Sequence, residues 1–146
     1  MSLYARALGY LARREYSRQE LERKLSRHEY APDELKNVLD RLERQKLLSD
    51  ERAAEQILHV RSRKYGSRRI RCELRMKGIS DELIETTLQD FEQTEFAAAQ
   101  ALWCKKFGNV PTTAAERGRQ IRYLAGKGFP AEVISRVLSG TYAVES

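Results

Sequence analysis

Apolar residues recur along this chain every three or four positions, with polar and charged residues between them. Leu3, Ala7, Leu8 and Leu11 make one such stripe, the spacing that puts side chains on a single face of an α-helix. Ser17-Arg18-Gln19-Glu20 reads as a capping box that opens a second helix, with Leu21 and Leu25 turned inward. Pro32 fits the first turn of a third helix, where Asp33 and Glu34 complement the positive end of the helix dipole, and that helix extends to about Lys46. A second group of helices starts at Ser49 or Asp50, with Ala53, Ala54, Ile57 and Leu58 as its inner face. Gly66 breaks it, Ser67 is placed to cap the next helix, Gly78 ends that one, and Ser80 caps another. A third group starts at Thr94, with Ala98, Ala101 and Leu102 inward. After a loop over Gly108 to Pro111, Thr113-Ala114-Ala115-Glu116 reads as another capping box; Gly128 ends that helix and Pro130 starts the last. No run of alternating β-branched residues occurs, so no strand is predicted.

The three groups repeat one another. Leu25 to Tyr30, Leu74 to Ile79 and Leu124 to Phe129 each carry a Leu, an apolar residue five positions on, and then a helix start. Tyr30 and Ile79 are 49 residues apart, and Ile79 and Phe129 are 50 apart. The register continues downstream: Leu35, Ile84 and Ile134 align, as do Val38, Thr87 and Val137, and Leu39, Leu88 and Leu138. Leu42 and Phe91 align too, with Thr141 a weak third. The predicted fold is therefore all-α, with three tandem three-helix repeats over residues 1–48, 49–93 and 94–146. Three short helices bury little surface alone, so neighbouring repeats must cover each other's flanks, and an elongated, curved array is expected.

Charge sharpens this picture. The 146 residues carry a formal net charge of +6, and the stretch 61–77 alone carries +7, from eight bases and the single acid Glu73. The bases are Arg61, Arg63, Lys64, Arg68, Arg69, Arg71, Arg75 and Lys77. On a helix, Arg68, Arg71 and Arg75 fall within roughly 60° of one another, apart from the inward Ile70 and Leu74. The turn at Tyr65-Gly66 folds Arg61, Arg63 and Lys64 back beside them. Either this is a solvated charged face or it is a binding patch. With one acid against eight bases the patch reading is preferred, with phosphates or an acidic protein surface as its partners. Tyr65 is placed to pack or to stack on a base, and Trp103 reads as a residue of the repeat interface.

Enzyme chemistry is not legible. His28 and His59 lack metal-ligand spacing, no phosphate-binding glycine motif or nucleophile elbow occurs, and no metal or cofactor is expected. Most acids have basic neighbours at helical spacing, Glu20 with Lys24 for example, as on a salt-bridged surface. Cys72 and Cys104 stand alone, no segment reads as membrane-spanning or as a secretion signal, and a reduced cytoplasmic protein is expected.

Several passages carry a family resemblance. They are Ala7-Leu8-Gly9-Tyr10-Leu11-Ala12-Arg13-Arg14-Glu15-Tyr16-Ser17-Arg18-Gln19-Glu20-Leu21, then Leu47-Leu48-Ser49-Asp50-Glu51-Arg52, then Arg61-Ser62-Arg63-Lys64-Tyr65-Gly66-Ser67-Arg68-Arg69-Ile70, with Glu73-Leu74, Lys77-Gly78-Ile79 and Leu124-Ala125-Gly126-Lys127-Gly128-Phe129. Together they resemble the RecX family of bacterial regulators of the RecA recombinase, over nearly the whole chain. The chain departs from the family pattern at Ala53, where an aromatic residue is usual, and at Glu29, where a glycine is usual. The second departure makes the first turn less tight. The resemblance implies a three-repeat helical protein lying in the groove of the RecA filament on single-stranded DNA, limiting the filament's growth or promoting its loss. It implies the RecA filament and single-stranded DNA as partners; no membrane partner is expected of the chain, and a monomer is. A stand-alone DNA-binding module of helix-turn-helix character is the alternative.

Overall fold

The computed structural model describes residues 1–140, and among these it contains eight α-helices and no strand. They are α1 (Leu3–Leu11), α2 (Arg18–Leu25), α3 (Glu34–Arg44), α4 (Asp50–Arg61), α5 (Ser67–Met76), α6 (Asp81–Lys106), α7 (Ala114–Gly126) and α8 (Ala131–Leu138). Thr141 and the residues after it lie outside the described part.

Local chemistry starts most of these helices where polar residues precede an apolar stripe. The hydroxyls of Ser2, Ser17, Ser49, Ser80 and Thr113 each accept a backbone N–H three residues on, a bond worth about 1 kcal/mol per helix. Glu20 closes the box at α2 by accepting from the Ser17 N–H at 3.0 Å. At α7 the box is only half made, because Glu116 reaches one residue further back and accepts from the Thr112 N–H at 2.9 Å. Two expected starts differ. Pro32 lies before α3, not in its first turn, and Asp33 precedes the helix in a left-handed conformation (φ 68°) without capping it. Gly66 is the N-cap of α5, while Ser67 is its first helical residue, with its hydroxyl engaged elsewhere.

The larger difference is α6. The third helix of the second repeat and the first helix of the third are one helix of 26 residues. The expected boundary at 93/94 falls inside it without a break. Asp90 to Phe96 contains neither glycine nor proline, so nothing stops propagation there. Between the first two repeats, by contrast, Lys46 turns left-handed (φ 61°) and Ser49 caps a new helix. Continuity also sets the phase of α6. Ile84, Leu88, Phe91, Glu95, Ala99 and Trp103 are its buried positions. Ala98 and Leu102 are only half-buried and Ala101 is exposed, because the inward face runs on from Phe91 and does not restart at Thr94.

Three apolar clusters follow chain order. Leu3, Ala7, Tyr16, Leu21, Leu25, Leu39, Leu42 and Leu48 form the first; Leu8 on the same helix is 37% exposed and stays outside it. The second gathers Ala54, Ile70, Leu74, Ile79, Ile84, Leu88 and Phe91, and the third Ala99, Trp103, Leu124, Phe129, Ile134, Val137 and Leu138. Each fully buried Leu or Ile contributes on the order of 1.5–3 kcal/mol. Ala53, in the position where an aromatic was expected, is buried as well.

The aligned turns are not equivalent. Ile79 and Phe129 are 4% and 1% exposed, but Tyr30 is 39% exposed. Gly78 (φ 77°) and Gly128 (φ 94°) take the left-handed conformation that lets the Ile79 and Phe129 amides bond back to the Leu74 and Leu124 carbonyls. Glu29 stands at that point in the first repeat, and a residue with a Cβ disfavours such a turn. The chain therefore leaves α2 by another route and Tyr30 points away from the core.

The same turns join the repeats. In the partly buried seam between the first and second, Ser17 Oγ donates to the Lys77 carbonyl at 2.6 Å, and the Arg18 N–H donates to Asp50 at 2.8 Å. In the seam between the second and third, the Gly66 N–H donates to the Lys127 carbonyl (2.8 Å) and the Arg68 N–H to the Gly128 carbonyl (2.9 Å). Each seam thus docks the start of a second helix on the glycine turn of the next repeat. Two further bonds form at the second seam: Glu95, 2% exposed, accepts from the Ser67 N–H at 2.6 Å and from its hydroxyl at 3.0 Å.

Candidate functional site

The basic stretch 61–77 spans the end of α4, the following turn and α5, so the fold gathers its eight bases around the middle repeat. Their electrostatic partners divide them in two. Arg61 Nε lies 3.0 Å from Glu73, and Lys77 Nζ lies 3.4 Å from Glu73 and 3.5 Å from Glu20. Arg71 pairs with Glu85 and, at 3.6 Å, with Glu92, and Arg75 pairs with Asp81 at 3.5 Å. The compensation of one acid against eight bases read from the local sequence is therefore incomplete. Four further carboxylates, Glu20, Asp81, Glu85 and Glu92, arrive from α2 and α6.

Glu20 illustrates the cost and its offset. Burial raises its carboxyl's affinity for a proton, but the Ser17 N–H, the Arg14 hydrogen bond and the nearby Lys77 charge outweigh it and hold the pKa below the usual carboxylate range. Its partners are Arg14 and Lys77; Lys24 places its ammonium 5.6 Å from the Tyr10 ring centre instead.

Arg63, Lys64, Arg68 and Arg69 form the second set. Among the described residues no carboxylate lies within ion-pair distance of any of them, and all four are exposed. Arg63 rims an apolar groove of about 420 Å³ with Lys105, over Phe91, Ala98, Ala101 and Leu102. Arg68 and Arg117 both line a cleft of about 250 Å³, together with Ile121, Phe129 and Ile134. Arg68, Arg71 and Arg75 share a helix face as expected, yet only Arg68 keeps its charge uncompensated. Of the four unpaired bases, Arg68 and Arg69 stand at the seam between the second and third repeats, against the Gly126 to Gly128 turn.

At that seam the cations alternate with aromatic rings. The Arg69 guanidinium lies 4.0 Å from the Tyr65 ring centre, and Lys127 Nζ lies 5.5 Å from the same ring. Lys127 is also 5.6 Å from the Tyr123 ring, and Lys106 is 5.6 Å from it as well. Phe107 meets Tyr123 edge-on at 5.4 Å. Tyr65 is thus both half-buried against the second core and part of a mixed aromatic and basic surface. Lys106, Tyr123 and Lys127 were not among the candidate residues read from the sequence. The 50-residue repeat held a signal for one of them, since Lys127-Gly128-Phe129 matches Lys77-Gly78-Ile79. Trp103, expected at a repeat interface, is instead 7% exposed in the third repeat's own core, beside Ala99 and Leu124, with its indole N–H donating to Gln120 at 2.8 Å, because the inward face of α6 turns it toward α7.

The remaining chemistry-bearing groups do not converge. Among the described residues no three His, Cys, Asp or Glu side chains are grouped as a metal site. His28 lies 3.4 Å from the Tyr10 hydroxyl, and Cys72 and Cys104 are both free thiols on the surface. No helix among the described residues is long and apolar enough to cross a membrane.

The fold and this surface define a helical-repeat protein whose prominent surface feature is a basic, aromatic-lined seam. Comparison with known proteins narrows the class. Family models described as the first, second and third three-helix domains of RecX match residues 4–42, 49–88 and 93–138. A regulatory protein RecX of Ralstonia nicotianae is 41% identical over 99% of this chain and 91% of its own. One from Chromobacterium violaceum is 45% identical over 95% of this chain and 90% of its own. A crystal structure of a regulatory protein RecX superposes with a TM-score of 0.79 at 26% identity, covering 92% of this chain and 70% of that one. RecX from Lactobacillus salivarius, at 21% identity, shares the fold with a TM-score of 0.83 over 97% and 95% of the two chains. The chain belongs to the RecX family of regulatory proteins.

Proposed function

We propose that this protein is a negative regulator of the RecA recombinase that binds the RecA filament on single-stranded DNA and limits its extension and activity. The observation that carries this reading is the uncompensated basic seam in the middle of a three-repeat array of the RecX family. A row of repeats presents an extended surface suited to neighbouring subunits of a filament, and the seam supplies the charge to meet phosphates or acidic side chains. The protein acts by binding, as a cytoplasmic monomer, without a cofactor and without catalysing a reaction.

The test is ATP hydrolysis by RecA on single-stranded DNA, with this protein added far below one copy per RecA subunit. Hydrolysis should fall progressively as filaments shorten. Unchanged hydrolysis over a wide concentration range would refute the proposal. Tight, sequence-selective binding to duplex DNA in the absence of RecA would favour a stand-alone DNA-binding role instead.

A further inference from the structure

We propose that a single nucleic-acid strand runs across the seam between the second and third repeats, along the row Arg69, Tyr65, Lys127, Tyr123 and Lys106. This deepens the function proposed above by assigning one surface to the strand itself rather than to the recombinase.

The row has what a sequence-blind strand site needs: ring faces for bases and cations for phosphates, alternating along one surface. Its cations have no carboxylate within ion-pair distance among the described residues, in contrast to Arg61, Arg71, Arg75 and Lys77 nearby. A strand would therefore gain their charge without first breaking an internal ion pair. A protein partner offering carboxylates could use the cations too, and crosslinking from the middle of the row separates the two occupants.

The distances explain how the row can open. Arg69 is seated on Tyr65 at 4.0 Å, and its Nη1 lies 3.5 Å from the Gly126 carbonyl. Lys127 and Lys106 sit at 5.5–5.6 Å from the rings, near the outer limit of about 6 Å for such an attraction. The lysines are loosely held, so moving each ammonium to a phosphate costs little and bares a ring. Tyr123 meanwhile packs edge-to-face with Phe107 at 5.4 Å. Both halves of the row are fixed relative to each other by the Gly66 to Lys127 and Arg68 to Gly128 backbone bonds. The platform therefore exists before the strand arrives, which lowers the ordering cost of binding.

The test uses a fluorescein-labelled thymidine oligonucleotide and the full chain, without RecA, by anisotropy across a salt series. Three neutralised phosphates give a slope of log K against log salt of about −2 for a single strand. Replacing Lys106 and Lys127 together with Gln should cut that slope to about −0.7. Tyr123→Leu should weaken binding at least about 5-fold while Tyr123→Phe retains it, and circular dichroism melts confirm that both variants fold. A photocrosslinking residue at position 123 then reports the neighbour in assembled RecA filaments, with adducts to DNA expected. Wild-type slope and affinity in the double Gln variant, or adducts to RecA in place of DNA, would overturn the assignment. Because the first measurement omits RecA, it can fail while ATPase inhibition persists, and the reverse also holds.

Discussion

Gly66→Ala isolates the seam that carries the basic surface. Gly66 has φ −89° and ψ 174°, a conformation open to any residue, so close approach rather than backbone freedom demands the glycine. A Cβ there would lie 2.5 Å from the Gly128 carbonyl oxygen and 2.6 Å from Phe129 Cα. Both are backbone atoms and cannot swing aside, so the seam must part by about 1 Å to restore ordinary contact. That displacement stretches the Gly66 N–H to Lys127 and Arg68 N–H to Gly128 bonds, at 2.8 and 2.9 Å, beyond useful range. Gly66 and Gly128 are buried, so each broken bond leaves groups cut off from water, at about 1–3 kcal/mol apiece. The expected loss is roughly 2–5 kcal/mol, which for a chain of this size lowers Tm by about 5–15 °C. Gly9→Ala is the matched control: nothing lies within 4 Å of its added Cβ, so the mid-helix substitution should stabilise by about 0.5–1 kcal/mol. Thermal melts measure both, and hydrogen exchange at the Gly66 and Arg68 amides localises the effect. A Tm for Gly66→Ala within about 2 °C of the parent, with unchanged protection of those amides, would refute the reasoning.

Three other substitutions probe separate contacts. Ser17→Ala removes both a cap and the donor to the Lys77 carbonyl, and should cost about 2–3 kcal/mol in urea unfolding; a loss below about 0.5 kcal/mol would mean the first seam relaxes freely. Burial pushes the Glu95 carboxyl above its ordinary pKa, although its two bonds from Ser67 pull the other way. The folded state thus binds its proton more tightly than the unfolded chain, so this group's contribution to stability falls as pH rises from the ordinary carboxylate value through the raised one. Glu95→Gln should abolish that slope in melts taken across the window, and an unaltered pH profile would count against it. Lys64→Gln with Arg68→Gln and Arg71→Gln with Arg75→Gln change net charge equally, yet the first pair has no internal carboxylate partners and the second has three. Filament binding should therefore suffer more from the first pair; equal losses would mean that only total charge matters.

Much of the fold was legible in the chain because it rests on local rules. Ser17, Ser49, Ser80 and Thr113 cap helices wherever a hydroxyl precedes an apolar stripe, and Gly78 and Gly128 close turns that only glycine makes easily. Leu39, Leu88 and Leu138 are all buried, as the 49- and 50-residue register required. The Glu29 departure also had its consequence, since Tyr30 leaves the core that Ile79 and Phe129 enter. Local rules do not reach the junction of the second and third repeats. No residue between Asp90 and Phe96 forbids helix, so whether one helix or two passes through depends on what packs against it, and the phase of Ala98, Ala101 and Leu102 followed from that.

The site divides along the same line. That positive charge concentrates around the middle repeat is already readable along the chain, because charge is a property of composition and position. Which of those charges remain available depends on how the helices pack. Ion pairing depends on distances of 3–4 Å between residues far apart in the chain, and it ties Arg71 to Glu85 and Glu92 and Lys77 to Glu20 while leaving Lys64 and Arg68 open. The same packing draws Lys106, Tyr123 and Lys127 of the third repeat to Tyr65 and Arg69 of the second. No spacing along one helix encodes that surface, because it forms only where two repeats meet.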